Sequence, residues 1–265
     1  MLAIAFPMID PVLVDIGPIS IRWYALAYIT GLVLGWRYMI WLAKQPGSVV
    51  KPEHADDFLT WATFAVILGG RLGYVLFYNV EFYFAHPAEI FKTWQGGMSF
   101  HGGLLGVMVA TIWFTRLNKI RFLSFMDLAA VVTPIGLFFG RLANFINSEL
   151  WGRTTDVPWA MVFPNGGPIP RHPSQLYEAG LEGLMMLVVL HLVWRKESLR
   201  SKPGVLTGVF MIGYGLSRMI VEMFRQPDAQ LGYLIGGTTM GQLLSIPMVL
   251  VGVSVIVYAH KRTTA

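Results

Sequence analysis

Apolar runs of about twenty residues recur along the whole chain, each long enough to cross a hydrocarbon core of ~30 Å as a helix. One of them reads SFMDLAAVVTPIGLFFGRLANFI, residues 124 to 146. Seven such spans are expected, at 19–43, 58–80, 97–115, 124–146, 174–194, 204–224 and 238–259. Membrane strands are about half this length and alternate in polarity, which argues against a barrel. Of the 265 residues 55% are hydrophobic and only 13% charged, and the mean hydropathy is +0.56, outside the balance of a soluble domain. The expected fold is an all-α integral membrane protein, one polytopic domain over residues 1–265.

The net charge of +5 is spread through short connections, where it acts as a topology signal and does not point to nucleic acid. Lys and Arg number 2, 3, 4 and 2 in segments 44–57, 116–123, 195–203 and 260–265, against 0, 1, 2 and 1 in segments 1–18, 81–96, 147–173 and 225–237. The positive-inside bias then predicts the N-terminus outside and the C-terminus in the cytoplasm. The N-terminal MLAIAFPMIDPVLVDIGP has no basic region and carries Asp10 and Asp15, unlike a cleavable signal peptide. Residues 81–96, EFYFAHPAEIFKTWQG, mix aromatics with charge and are expected at the membrane interface. Residues 147–173 hold Pro158, Pro164, Pro168, Pro170 and Pro173 and are expected to form an irregular loop or cap on the outer face.

Ionisable groups inside a span cost several kcal/mol by most estimates, so each needs a partner, a wet cavity or a role. Arg71, Arg141, Arg218 and Glu222 are singled out on this ground. In the orientation above, the three arginines lie roughly 20, 26 and 21 Å from the cytoplasmic ends of their spans, at ~1.5 Å per residue. All sit in the outer half, near the level of Arg22, Trp23, Tyr24 and His101. Simpler roles compete: Arg22 and Trp23 suit interface anchors, Arg71 can snorkel to the head groups, and Arg218 and Glu222 can neutralise each other at i, i+4. His101, flanked by Gly96, Gly97, Gly102, Gly103 and Gly106, suits either a structural hydrogen bond or a proton-transfer group.

The stretch GRLANFINSELWGR, residues 140–153, concentrates the unlike groups. Arg141, Asn144 and Ser148 share one helix face, with Asn147 and Glu149 turned further round. An amide network between helices would use such residues, and so would a site for a charged ligand rich in hydrogen-bonding groups. Guanidinium groups match phosphate through bidentate bonds strengthened in a low dielectric, which points to a phospholipid head group. Neither a zinc-binding H-E-x-x-H, a serine elbow, a phosphate-binding P-loop nor a cysteine occurs, so metal, cofactor and thiol-nucleophile chemistry leave no trace. A lipid or anion transporter is the rival class, although its usual paired repeats reduce here to Gly70-Arg71-Leu72-Gly73 against Gly140-Arg141-Leu142-Ala143.

GRLANFINSELWG closely resembles the signature of the bacterial prolipoprotein diacylglyceryl transferase family, and further similarity lies in IRWYALAY (21–28), GGRLGYVLFYN (69–79), GGMSFHGGLLG (96–106), RHPSQLYE (171–178) and SRMIVEMFRQPDAQ (217–230). The resemblance implies a seven-helix inner-membrane enzyme, active toward the outer leaflet, that moves the diacylglyceryl group of phosphatidylglycerol to the lipobox cysteine of a prolipoprotein signal peptide. It implies no cofactor. The family's important positions fall on Tyr24, His101, Arg141, Asn144, Glu149, Gly152, Arg218 and Glu222. On this basis His101, Arg141, Arg218 and Tyr24 are expected to be catalytic, and Arg141, Asn144, Arg218, Glu222, Glu149 and Arg71 to bind the lipid. Gly152 and Asn147 are expected to be structural, and the reacting thiol belongs to the substrate.

Overall fold

A computed structural model describes residues 4–17, 19–227 and 232–263. It is mostly helical. The principal helices are α1 Trp23–Ala43, α2 Pro52–Tyr78, α3 Phe100–Leu117, α4 Phe122–Ile146, α5 Ser174–Arg195, α6 Val205–Val221 and α7 Met240–Thr263. Among the described residues, 6 of these are long and apolar enough to cross a membrane; α6, at 17 residues, is shorter. Only 11–44% of the apolar window of each candidate span is buried. Side chains such as Leu68, Leu105, Val109, Leu192 and Leu250 therefore point outward, an arrangement that lipid solvates and water does not.

Helix α1 starts at Trp23, four residues later than the apolar run suggests. Residues Val12–Ile16 (β1) and Ile19–Arg22 (β2) form an antiparallel hairpin turned at Gly17, whose φ is +62°. That backbone region suits glycine.

Contacts divide the chain into two compact units, residues 40–125 and residues 1–39 with 126–265. In the first, α2 and α3 pack backbone to backbone: a Cβ on Gly69 would lie 2.9 Å from Gly106 Cα, and one on Gly73 2.6 Å from Gly102 Cα. Small residues are what allow helices so close an approach in lipid. The connection between them forms a short helix, Val80–Ala85, and two 3-10 turns, Pro87–Phe91 and Thr93–Gln95, with Phe84, Phe91 and Trp94 exposed.

In the second unit, α4 contacts α5, since a Cβ on Gly183 would lie 2.7 Å from Phe138 Cβ. Asp127 of α4 caps the start of α6, accepting from Gly204 N and from Thr207 N and Oγ1, each at 2.7 Å. A carboxylate there meets both the free N–H groups and the positive end of the helix dipole. Residues 147–173 are ordered by strand-like links: Gly152 pairs with Arg225, and Arg171 with Met161 and Thr154. Met161–Val162 also runs parallel to Ile4–Ala5.

Candidate functional site

The last turns of α4 present Arg141 and Asn144, and the helix then stops in an unusual turn. Ser148 and Leu150 have φ of +52° and +57°, a backbone region that costs ~1–2 kcal/mol for side chains of this kind. Side chains from both flanks hold the turn. Asn144 Nδ2 donates to Glu149 Oε1 at 2.7 Å, Gln175 Nε2 to Glu149 O at 2.6 Å, and Ser174 Oγ to Leu150 O at 3.0 Å. Asn147 adds its backbone bond to Ala143 O at 2.9 Å. The Asn144–Glu149 pair thus closes this turn. Tyr24, half-buried at the start of α1, lies within electrostatic reach of both Glu149 and Arg141.

Gly152 leaves the turn where nothing larger fits. A Cβ there would come within 2.6 Å of both His172 Cβ and Phe224 O. Backbone bonds Gly152 N to His172 O and Arg153 N to Phe224 O tie the loop to the chain beyond α6. Arg153 donates to Arg225 O and Glu222 O, and Arg171 donates to Gly166 O and Gly152 O while lying over the Trp151 ring at 4.1 Å. Burial, and then the Arg153 guanidinium, lower the His172 pKa from its ordinary value of 6.5.

Beneath this loop lies a charge cluster whose carboxylates the sequence reading largely passed over. Glu178 and Glu182, on α5, are fully buried. Glu178 takes Arg141 Nε on one oxygen at 2.7 Å and Arg218 Nη1 on the other at 2.9 Å. Glu182 repeats the pattern at 3.4 Å to each arginine. Arg218 also pairs with Glu222 through Nη2, and Arg225 lies 3.6 Å from Glu178 and 3.9 Å from Glu222. A Cβ on Gly241 would lie 2.6 Å from Glu222 Oε1, so this glycine of α7 makes room for the carboxylate. Tyr214, one turn before Arg218, feels the fields of Glu182, Arg218, Arg141 and Glu178. The signal was present in the letters: two glutamates at i, i+4 inside an apolar span need cationic partners, and Arg141 and Arg218 were already marked.

The cluster brings together Tyr24, Arg141, Asn144, Glu149, Gly152, Arg218 and Glu222, all in one compact unit. Arg141 and Arg218 keep 17% and 11% of their side chains accessible while the glutamates behind them keep none. Among the described residues Arg141 Nη1 has no hydrogen-bond or ion-pair partner, so the arginines, and not the carboxylates, retain accessible surface.

His101 and Arg71 belong to the other unit. His101 is exposed in the first turn of α3, beside the Phe100 ring, where Ser99 Oγ caps the helix by accepting from Gly102 N at 3.2 Å. The Arg71 guanidinium, expected from the sequence to bind lipid, donates to backbone carbonyls. Nε donates to Ile90 O at 2.8 Å, Nη1 to Gly96 O at 2.6 Å and Gly97 O at 3.1 Å, and Nη2 to Glu89 O at 2.6 Å and Lys92 O at 3.5 Å. With Tyr83 against its face at 5.1 Å and only 5% of the residue exposed, all five N–H donors are spent.

Comparison with known proteins places this architecture. Residues 11–258 match the family model described as prolipoprotein diacylglyceryl transferase. Curated proteins named phosphatidylglycerol–prolipoprotein diacylglyceryl transferase are similar over nearly the whole chain. The one from Rhodospirillum rubrum is 59% identical over 98% of this chain and 95% of its own. That from Paramagnetospirillum magneticum is 58% identical over 98% and 97%, and that from Azospirillum brasilense 57% identical over the full length of both. With helices apolar enough to cross a membrane repeatedly and this similarity end to end, the chain is a multi-pass membrane protein that belongs to the prolipoprotein diacylglyceryl transferase family.

Proposed function

We propose that this chain transfers the diacylglyceryl group of phosphatidylglycerol to the lipobox cysteine thiol of a prolipoprotein. The carbon–sulfur bond of a thioether forms, the carbon–oxygen bond to phosphate breaks, and glycerol phosphate leaves. The observation that carries this reading, beyond the relatives' names, is the pair Arg141 and Arg218, both paired with fully buried glutamates while keeping 17% and 11% of their own side chains accessible.

In this mechanism the two guanidinium groups bind the phosphodiester and stabilise the charge that gathers on the departing phosphate. A fixed donor aimed at developing charge in a dry site is worth far more than the same donor in water. Glu222 orients Arg218 through their mutual pair. Asn144 and Glu149 form the turn against which the head group lies, and Tyr24, whose hydroxyl meets that of Tyr28 at 3.3 Å, lies within electrostatic reach of Glu149 and Arg141. A free thiol with pKa ~8.5 is only a few per cent thiolate near neutrality, so a base speeds attack. His101 is assigned that role and takes the thiol proton. If His101→Gln in purified enzyme leaves thioether formation near the wild-type rate, the base is another group.

All seven helices, α6 included, are read as spans, with the N-terminus outside as the Lys and Arg distribution indicates. That orientation sets Arg141 and Arg218 toward the outer leaflet of the cytoplasmic membrane, residues 81–96 at the interface and residues 147–173 over the site as a cap. Exposed Phe84, Phe91 and Trp94 suit the interface.

The test is mass spectrometry of a lipobox peptide incubated with purified protein and phosphatidylglycerol vesicles. A mass gain equal to the diacylglyceryl group is expected on the cysteine, and absent with a Cys→Ser peptide. Lipid movement between leaflets with no adduct would replace the transferase by the transporter reading.

A further inference from the structure

A phosphate site that buries two carboxylates directly behind its arginines needs a reason, because full ionisation of all four groups cancels the charge offered to the ligand. The geometry supplies one. Two guanidinium groups this close repel, and in a low dielectric the repulsion is large. Each glutamate bridges both arginines, with one oxygen for Arg141 and the other for Arg218. The pair of bridges fixes the separation of the guanidinium groups before any phosphate arrives.

The local backbone is shaped for this task. From Ala179 to Met185 helix α5 winds as a π-helix, a form that is rare and concentrated at functional sites. The wide turn starts immediately after Glu178 and contains Glu182, so one carboxylate leaves the helix at the edge of its distorted segment and the other within it. Glycines let the neighbouring helices close on it: Gly183 receives Phe138 of α4, and a Cβ on Gly213 of α6 would lie 2.5 Å from Met186 Sδ. Arg141 is three residues beyond Phe138 and Arg218 five beyond Gly213, so the same close approaches carry the arginines to the carboxylates.

We infer that Glu178 and Glu182 are positioning residues for phosphate recognition, setting the Arg141–Arg218 spacing while touching no substrate atom themselves. The inference rests on the assignment of those arginines to the lipid phosphate. A bridging carboxylate has no neutral substitute in this place. In Glu178→Gln one end of the amide still accepts from Arg218, but the charge that holds Arg141 Nε against the other end is gone, and that guanidinium is released. The shorter contacts of Glu178 make it the more demanding position.

The experiment measures the KM for phosphatidylglycerol and the inhibition constant of glycerol phosphate, which carries the phosphate without the acyl chains, in Glu178→Gln, Glu182→Gln, Arg141→Lys and Arg218→Lys. For Glu178→Gln both constants are expected to rise at least tenfold, and kcat to fall as well because the same arginines stabilise the departing phosphate; Glu182→Gln is expected to show smaller changes in the same direction. A role confined to folding would lower the melting temperature and the active fraction while leaving both constants of the folded enzyme unchanged, and that result overturns the inference. Where Glu178→Gln fails to fold, Glu182→Gln decides by the same criterion. If the arginine variants themselves leave glycerol phosphate inhibition unchanged, the phosphate assignment falls first, and the two failures are told apart.

Discussion

Arg71→Met removes the guanidinium that gathers the 87–97 segment and replaces it with an apolar chain of similar reach. Three of the lost bonds are short, at 2.6, 2.6 and 2.8 Å, and two are longer, at 3.1 and 3.5 Å. A hydrogen bond to a charged group contributes about 1.5–3 kcal/mol, but here the freed carbonyls lie on a segment open to its surroundings and regain part of that from water. Counting the three short bonds at the low end gives about 4.5 kcal/mol, with little added for the long pair. The loss falls on one segment and not on the whole fold, so it appears as local opening. At 1.4 kcal/mol per tenfold, the open population of residues 87–97 rises about 10³-fold. Hydrogen–deuterium exchange of the protein in nanodiscs reads this directly, through amides such as Glu89, Lys92 and Gly96 that are bonded within the turns. Arg71→Lys, with three donors in place of five, is expected to lose about half the protection. Unchanged exchange in Arg71→Met, together with a raised KM for phosphatidylglycerol, would refute the structural assignment and return Arg71 to the lipid.

Gly152→Ala forces a methyl into His172 and the Phe224 carbonyl, and overpacking of this kind costs about 1–3 kcal/mol; a lower melting temperature and at least tenfold lower activity are expected, and wild-type behaviour would show that the loop yields. Asp127→Ala removes the cap of α6 and is expected to cost about 1–2 kcal/mol in thermal unfolding with the KM for lipid unchanged. For His172 the folded pKa lies below the unfolded value, so the unfolded chain binds the extra proton first. Its contribution is complete above pH 6.5 and declines as pH falls below that value; melting curves from pH 7.5 to 5.5 are expected to fall less steeply in His172→Gln, and equal slopes would dismiss the effect.

What the sequence disclosed and what it hid divide along a physical line. Apolar length is written in side chains, so the helices were legible, and α4 and α5 lie within two residues of the runs read for them. The Arg141–Asn144 face was legible because helical spacing fixes which residues share a side. The hairpin before α1 was not, since Gly17 and a five-residue strand are faint beside the apolar run that follows. Arg71 and Arg141 then show where depth alone fails. Both lie near one level of their spans and both follow a glycine, yet Arg141 meets carboxylates and Arg71 meets carbonyls. Every residue carries a carbonyl, so no letter marks the ones that will converge; only the turns at 87–91 and 93–95 aim them inward. Glutamates do have a letter, and Glu178 and Glu182 were open to the rule that picked out the arginines. The balance of buried charge, more than the position of any one group, distinguishes the arginines: Arg71 spends its donors on backbone carbonyls, while Arg141 and Arg218 pair with buried carboxylates and keep accessible surface, which is why the lipid phosphate is proposed for them.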